Sequence, residues 1–84
     1  MEDRMIIEKL KELLSHYVVD KTALADVSME DHLSHDLHID SFNIVEIVLD
    51  VEEYFGVIMD DEAISQMETF GNCFNILKKS LATS

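Results

Sequence analysis

The segment 36–42 places one serine among acidic and imidazole side chains, at the predicted start of a helix. Ser41 follows Asp40 directly, and His38 lies three positions before the serine. A nucleophilic serine needs a general base within hydrogen-bond reach and donors for an oxyanion. Closeness in sequence provides neither, and an 84-residue chain offers little room for a substrate cleft. Ser41 is therefore better suited to be modified by another enzyme than to catalyse, unless it is only a helix cap.

The charge of the chain limits the kinds of partner that it can bind. Only six Lys and Arg accompany 18 Asp and Glu, and the formal net charge is −12. No Lys or Arg lies between Thr22 and Leu77. This charge disfavours nucleic acid as a partner, because binding DNA or RNA requires Lys and Arg to neutralise phosphates. The charge favours proteins with basic patches, and self-repulsion predicts a monomer.

Two other kinds of site are disfavoured. His32, His35 and His38 recur at every third position, but they lie on a predicted loop without cysteine, so we interpret them as solvated side chains and predict no metal site. Cys73 is the single cysteine and cannot form a disulfide within the chain. Its place on an apolar stripe predicts a small core residue.

The apolar spacing predicts an all-α, four-helix bundle formed by a single domain over residues 1–84. The first helix covers residues 3–17. Residues 20–39 form a long ordered loop, with at most one helical turn, held to the core by widely spaced apolar residues: Leu24, Val27, Leu33 and Leu37.

Capping residues predict where the remaining helices begin and end. Asp40 is the predicted N-cap of the second helix, which runs to about Tyr54 and ends before Gly56. A short third helix covers residues 61–67, and Thr69 or Glu68 caps the last one.

The second helix has two predicted faces. The inward stripe contains Ile44, Ile47, Val48, Val51 and Phe55. Phe42, Val45 and Leu49 lie off this stripe beside acidic residues, which is typical of a helix that docks on a basic, apolar groove. Burial of most of the helix circumference inside the bundle is the alternative.

The N-terminus lacks the basic start and apolar stretch of a signal peptide, and the apolar run 44–51 is too short to span a bilayer. We therefore predict a cytoplasmic protein.

Four motifs at fixed spacing resemble those of the acyl carrier proteins. They are Asp36-Leu37-x-x-Asp40-Ser41-Phe42, Val45-Glu46-Ile47-Val48, Glu52-Glu53-x-Phe55 and Asp61-Glu62. The correspondence needs no gap between Leu33 and Leu77.

The resemblance implies a carrier and not an enzyme. A phosphopantetheinyl transferase would attach 4′-phosphopantetheine from coenzyme A to Ser41. The thiol of this arm would carry acyl groups as thioesters between the acyl-loading and acyl-processing enzymes of fatty-acid, polyketide-like or other specialised biosynthesis. The resemblance assigns partner binding to seven residues: Asp40, Phe42, Val45, Glu46, Leu49, Glu52 and Glu53. An unmodified acidic adaptor that docks through the same helix is the alternative.

The chain departs from the family pattern at three places. His38 replaces the usual glycine, which changes the backbone path into Ser41 or places a titratable group beside the phosphate. Phe42 replaces the usual leucine, and the turn at residues 58–61 lacks the family's proline. These departures favour a specialised carrier. The resemblance also implies an acyl-chain lining: Val45, Val51, Phe55, Ile64 and Phe74.

Overall fold

The computed structural model describes residues 2–83, which form an all-α bundle as the sequence predicts. Its helices are α1 (Asp3–Leu14), α2 (Lys21–Ala25), α3 (Ser41–Phe55), α4 (Asp61–Ser65) and α5 (Phe70–Thr83). Sequence analysis did not predict α2 as a separate helix; it is a short helix inside the long loop. No helix within residues 2–83 is long and apolar enough to cross a membrane.

The first helix ends earlier than predicted. Its last residue is Leu14 rather than Tyr17, because the chain tightens into turns in which the Tyr17 N–H donates to the Leu14 carbonyl. Beyond Leu14, Val18 is still buried and Tyr17 is partly buried, whereas Val19 is exposed. The apolar spacing continues past Leu14, so it placed the end of the helix about one turn too late.

The core lies where α1 packs against α3 and α5. Leu10 and Leu14 of α1, Val51 of α3 and Leu77 of α5 have no exposed surface. These residues come from stripes with the three- and four-residue spacing of amphipathic helices, so burying one face of each helix fixes the orientation of α3.

The long loop is ordered because its apolar residues and its backbone both hold it to the bundle. Leu24, Leu33 and Leu37 are buried as predicted, and Val27 is partly buried. Across the start of α5, the Leu33 N–H donates to the Glu68 carbonyl at 2.9 Å, and the Phe70 N–H donates to the Asp31 carbonyl at 2.9 Å.

Polar side chains cap the N-termini of several helices. Asp20, Asp40 and Asp60 are the N-caps of α2, α3 and α4, and each accepts a hydrogen bond from a backbone N–H inside its helix. Of the two residues proposed to cap α5, Thr69 does so: its Oγ1 accepts from the Asn72 N–H at 3.1 Å. Part of the acidic composition therefore serves helix capping, which stabilises helices by about 1 kcal/mol each.

Candidate functional site

Ser41 is the first residue of α3 and is exposed. The capping role belongs to its neighbour, because an Asp40 carboxylate oxygen accepts from the Asn43 N–H at 2.8 Å. The Ser41 hydroxyl is therefore not needed to start the helix. It is displayed at the positive end of a 15-residue helix, where the helix dipole favours an attached anion.

The surroundings of Ser41 do not resemble those of a catalytic serine. His38 is exposed, and the Asp40 carboxylate is engaged in capping. A serine nucleophile requires a base held in place by a third group, together with a cleft for substrate. The exposed Ser41 hydroxyl is instead accessible to the active site of another protein.

The backbone at His38 adopts the left-handed conformation, with φ of 57°. This region favours glycine, the residue type that the family pattern has at this position. Of the two consequences proposed for His38, a changed backbone path is therefore disfavoured, because histidine adopts a conformation that glycine adopts readily. The exposed imidazole remains three positions from Ser41.

We expect His38→Gly to be more stable than His38→Ala by about 1 kcal/mol, since only the alanine variant keeps a Cβ at positive φ. Urea unfolding followed by circular dichroism would measure the difference. Equal stability of the two variants would contradict a left-handed residue at this position.

The α3 helix presents an apolar stripe to solvent. Phe42 is 76% exposed, Val45 52% and Leu49 59%, and their spacing places them on one side of the helix. The opposite side is buried, with Ile47, Val48 and Val51 in the core. The structure thus favours the docking alternative over burial of most of the helix circumference. We call Phe42, Val45 and Leu49 the α3 stripe.

The predicted acyl-chain lining needs one correction. Val51 and Phe74 are buried, and Phe55 and Ile64 are partly buried against the core. Val45 belongs to the exposed α3 stripe, so its assignment to the bundle interior was wrong. Helical spacing had placed Val45 off the inward stripe, and only the family resemblance assigned it to the interior.

The acidic residues predicted on α3 occupy different environments. Glu53 is exposed, while Glu46 and Glu52 are partly buried. The Glu52 carboxylate accepts from the Met59 N–H at 2.8 Å and thereby fixes the connection between α3 and α4. Glu52 therefore has a structural role that the motif did not reveal.

Sequence analysis did not predict a contact between the turn after α1 and α3. Tyr17 follows the end of α1, and its hydroxyl donates to an Asp50 carboxylate oxygen at 2.7 Å. This hydrogen bond, burial, and the charges of Asp50 and Glu46 raise the pKa of Tyr17 to about 12. No periodicity signals the contact, because the two residues are far apart in the sequence.

The loop histidines do not converge on a metal-type cluster. His32 and His35 make an edge-to-face ring contact with centroids 5.5 Å apart. Within the part of the chain that the structure describes, no three His, Cys, Asp or Glu side chains are placed to hold an ion together.

Comparison with known proteins identifies the class of this fold and site. Residues 8–72 match the family model described as a phosphopantetheine attachment site. The chain is 32% identical over 83 residues to the acyl carrier protein of Coprothermobacter proteolyticus, covering 99% of both chains. It is 34% identical over 77 residues to that of Thermotoga maritima, covering 90% of this chain and 91% of the relative.

Solved structures agree with this assignment. The crystal structure of an acyl carrier protein from Thermotoga maritima superposes with a TM-score of 0.84 and 26% identity, over 99% of this chain and 94% of that one. An acyl carrier protein from Enterococcus faecalis matches in fold, with a TM-score of 0.78 at 24% identity, over 95% of this chain and 99% of that one. The chain belongs to the acyl carrier protein family, and its cofactor is phosphopantetheine.

Proposed function

We propose that the Ser41 Oγ is the attachment point of 4′-phosphopantetheine. This proposal rests on the different roles of two neighbouring residues at the start of α3. Asp40 caps the helix, and the neighbouring hydroxyl is left exposed. A phosphodiester there would lie close to the backbone N–H groups of the first helical turn, where negative charge is favoured. The terminal thiol of the arm would supply the thioester chemistry. This chain's own residues would then need only to hold the arm and to bind the enzymes that act on it.

We further propose that the α3 stripe and the acidic residues around it form the docking surface for enzymes. The transferase and the acyl-loading and acyl-processing enzymes would present basic patches, which the net charge of −12 attracts over long range. The exposed stripe would then provide the apolar centre that holds the complex. Asp40, Glu46 and Glu53 would contribute charge, as would the free oxygen of Glu52.

The protein would act as a monomer in the cytoplasm and would itself catalyse no reaction. The unmodified adaptor, in which α3 docks without any role for the hydroxyl, is the competing outcome of the test below.

Mass measurement of the intact protein tests the attachment. We expect the wild type to gain one phosphopantetheine after incubation with coenzyme A, magnesium and a broad-specificity phosphopantetheinyl transferase, and Ser41→Ala to gain none. Ser34→Ala is the matched control, since it removes another exposed hydroxyl, from the loop that precedes α3, and should be modified like the wild type. Modification of Ser41→Ala would refute the assignment, and an unmodified wild type with intact helices would favour the adaptor.

A further inference from the structure

His38 lies in the connection that leads into α3, and the backbone on both sides of it is anchored to the core. Leu37 and Ile39 are buried, and the Ile39 N–H donates to the Leu33 carbonyl at 2.9 Å. Between these two buried residues, His38 adopts the left-handed conformation and its side chain is exposed. An anchored backbone therefore presents the imidazole to solvent just before the helix begins.

The exposed side chains of His38 and Ser41 are close along the chain. Three residue steps separate them, so their Cα atoms are at most about 11 Å apart. A phosphate on the Ser41 Oγ would extend outward from one end of this short span, and the imidazole extends outward from the other end. The His38 ring is thus placed to reach a phosphate oxygen on the serine.

Histidine is the residue type that can supply positive charge in this part of the sequence. No Lys or Arg lies between Thr22 and Leu77, and the formal net charge of the chain is already −12 before a phosphodiester is added. Along the chain, His38 is the nearest residue to Ser41 that can become cationic. An imidazolium there would offset the repulsion between the phosphodiester and the carboxylates around it.

The carboxylates that flank His38 are already hydrogen-bonded to the backbone. One Asp36 oxygen accepts from the His32 N–H at 2.7 Å, and one Asp40 oxygen accepts from the Asn43 N–H at 2.8 Å. Within residues 2–83, the His38 side chain itself makes no hydrogen bond or ion pair. Its ring nitrogens are therefore available to a phosphate.

We propose that His38 binds the phosphodiester of the arm and holds its first link beside the start of α3. The protonated imidazole would donate an N–H to a non-bridging phosphate oxygen in a charge-assisted hydrogen bond. Because imidazole gains its charge as the pH falls from about 8 to 5, the contact would strengthen in that direction. The glycine of the family pattern provides no such donor. The proposal rests on attachment at Ser41 and adds a second residue to the site.

Phosphorus NMR of the modified protein tests the contact, because a phosphodiester has no ionisation of its own in the range in which imidazole titrates. We expect the 31P signal of the wild type to move with pH through one protonation step. In His38→Asn the signal should stay constant, since asparagine tolerates positive φ but carries no titratable group. The wild-type His38 ring protons should also show nuclear Overhauser contacts to the methylene group next to the phosphate.

The matched control is His35→Asn, which removes another exposed imidazole from the same connection and should keep the pH-dependent 31P shift. The other charged groups near this connection include Asp36, Asp40 and, across the start of α5, Glu68. Carboxyl groups ordinarily ionise below the range of imidazole, so they would not reproduce the shift.

A constant 31P signal or missing Overhauser contacts in the wild type would overturn the proposal, as would an equal shift in His38→Asn. The helix N-terminus alone would then hold the phosphate. The mass of each sample separates these results from a failure of attachment. A wild-type protein that takes up no phosphopantetheine overturns both proposals, whereas a modified protein with a constant 31P signal overturns only the role of His38.

Discussion

The native protein should show no reactive thiol before modification and one afterwards. Cys73, the single cysteine, is 1% exposed, and burial raises the pKa of its thiol to about 12. Because the thiolate is the reactive form, a rise of this size lowers its fraction at neutral pH about a thousandfold relative to a free cysteine. A chromogenic disulfide reagent at pH 7 should therefore detect only the phosphopantetheine thiol in the modified protein.

Unfolding supplies the internal standard for this count. In guanidinium chloride the unmodified protein should show one thiol and the modified protein two. Ser41→Ala treated with the transferase should match the unmodified wild type in both conditions. Since the pKa of Cys73 is raised, its native reactivity should stay low as the pH rises from 7 to 9. Rapid labelling of the folded, unmodified protein would contradict the buried position of Cys73.

Gly71→Ala should destabilise the fold by about 1–3 kcal/mol, as is usual when atoms are added to a closely packed site. A Cβ at this position would lie 2.8 Å from the Met29 carbonyl oxygen and 3.1 Å from the Met29 Cβ. The Gly71 N–H also donates to that carbonyl at 2.9 Å, so relieving the clash would strain the contact that holds the long loop to α5. Urea unfolding would measure the loss.

Gly56→Ala is a useful comparison because it acts by a different mechanism. A Cβ on Gly56 would meet nothing within 4 Å, but the residue has φ of 69°. We expect a cost of about 1 kcal/mol from the backbone conformation alone. Amide hydrogen exchange should separate the two variants, with faster exchange at Phe70 and at the amide of residue 71 only in Gly71→Ala. Wild-type stability in Gly71→Ala would contradict the close approach of the loop.

The helices and their faces could be predicted because they depend on local sequence. Helical spacing separates Ile47 and Val51 from Phe42 and Leu49, and the structure places the first pair inside and the second outside. Asp40 and Gly56 mark the two ends of α3 through rules that involve only neighbouring residues. The attachment of phosphopantetheine was likewise anticipated through motifs whose spacing is visible in the sequence.

The features that escaped prediction depend on contacts that form only when the chain turns back on itself or when distant segments meet. The bond from Met59 to Glu52 requires the chain to turn back on α3, and the Tyr17–Asp50 bond requires α1 to lie beside it. Likewise, the approach of Gly71 to Met29 requires the loop to cross α5.

Peptide mapping of the transferase-treated wild-type protein tests the central claim most directly. A protease that cuts after Asp and Glu should release residues 41–46, in which Ser41 is the single hydroxyl side chain. Tandem mass spectrometry should find phosphopantetheine on this peptide, at Ser41. An unmodified 41–46 peptide together with a modified peptide from elsewhere in the chain would contradict the assignment.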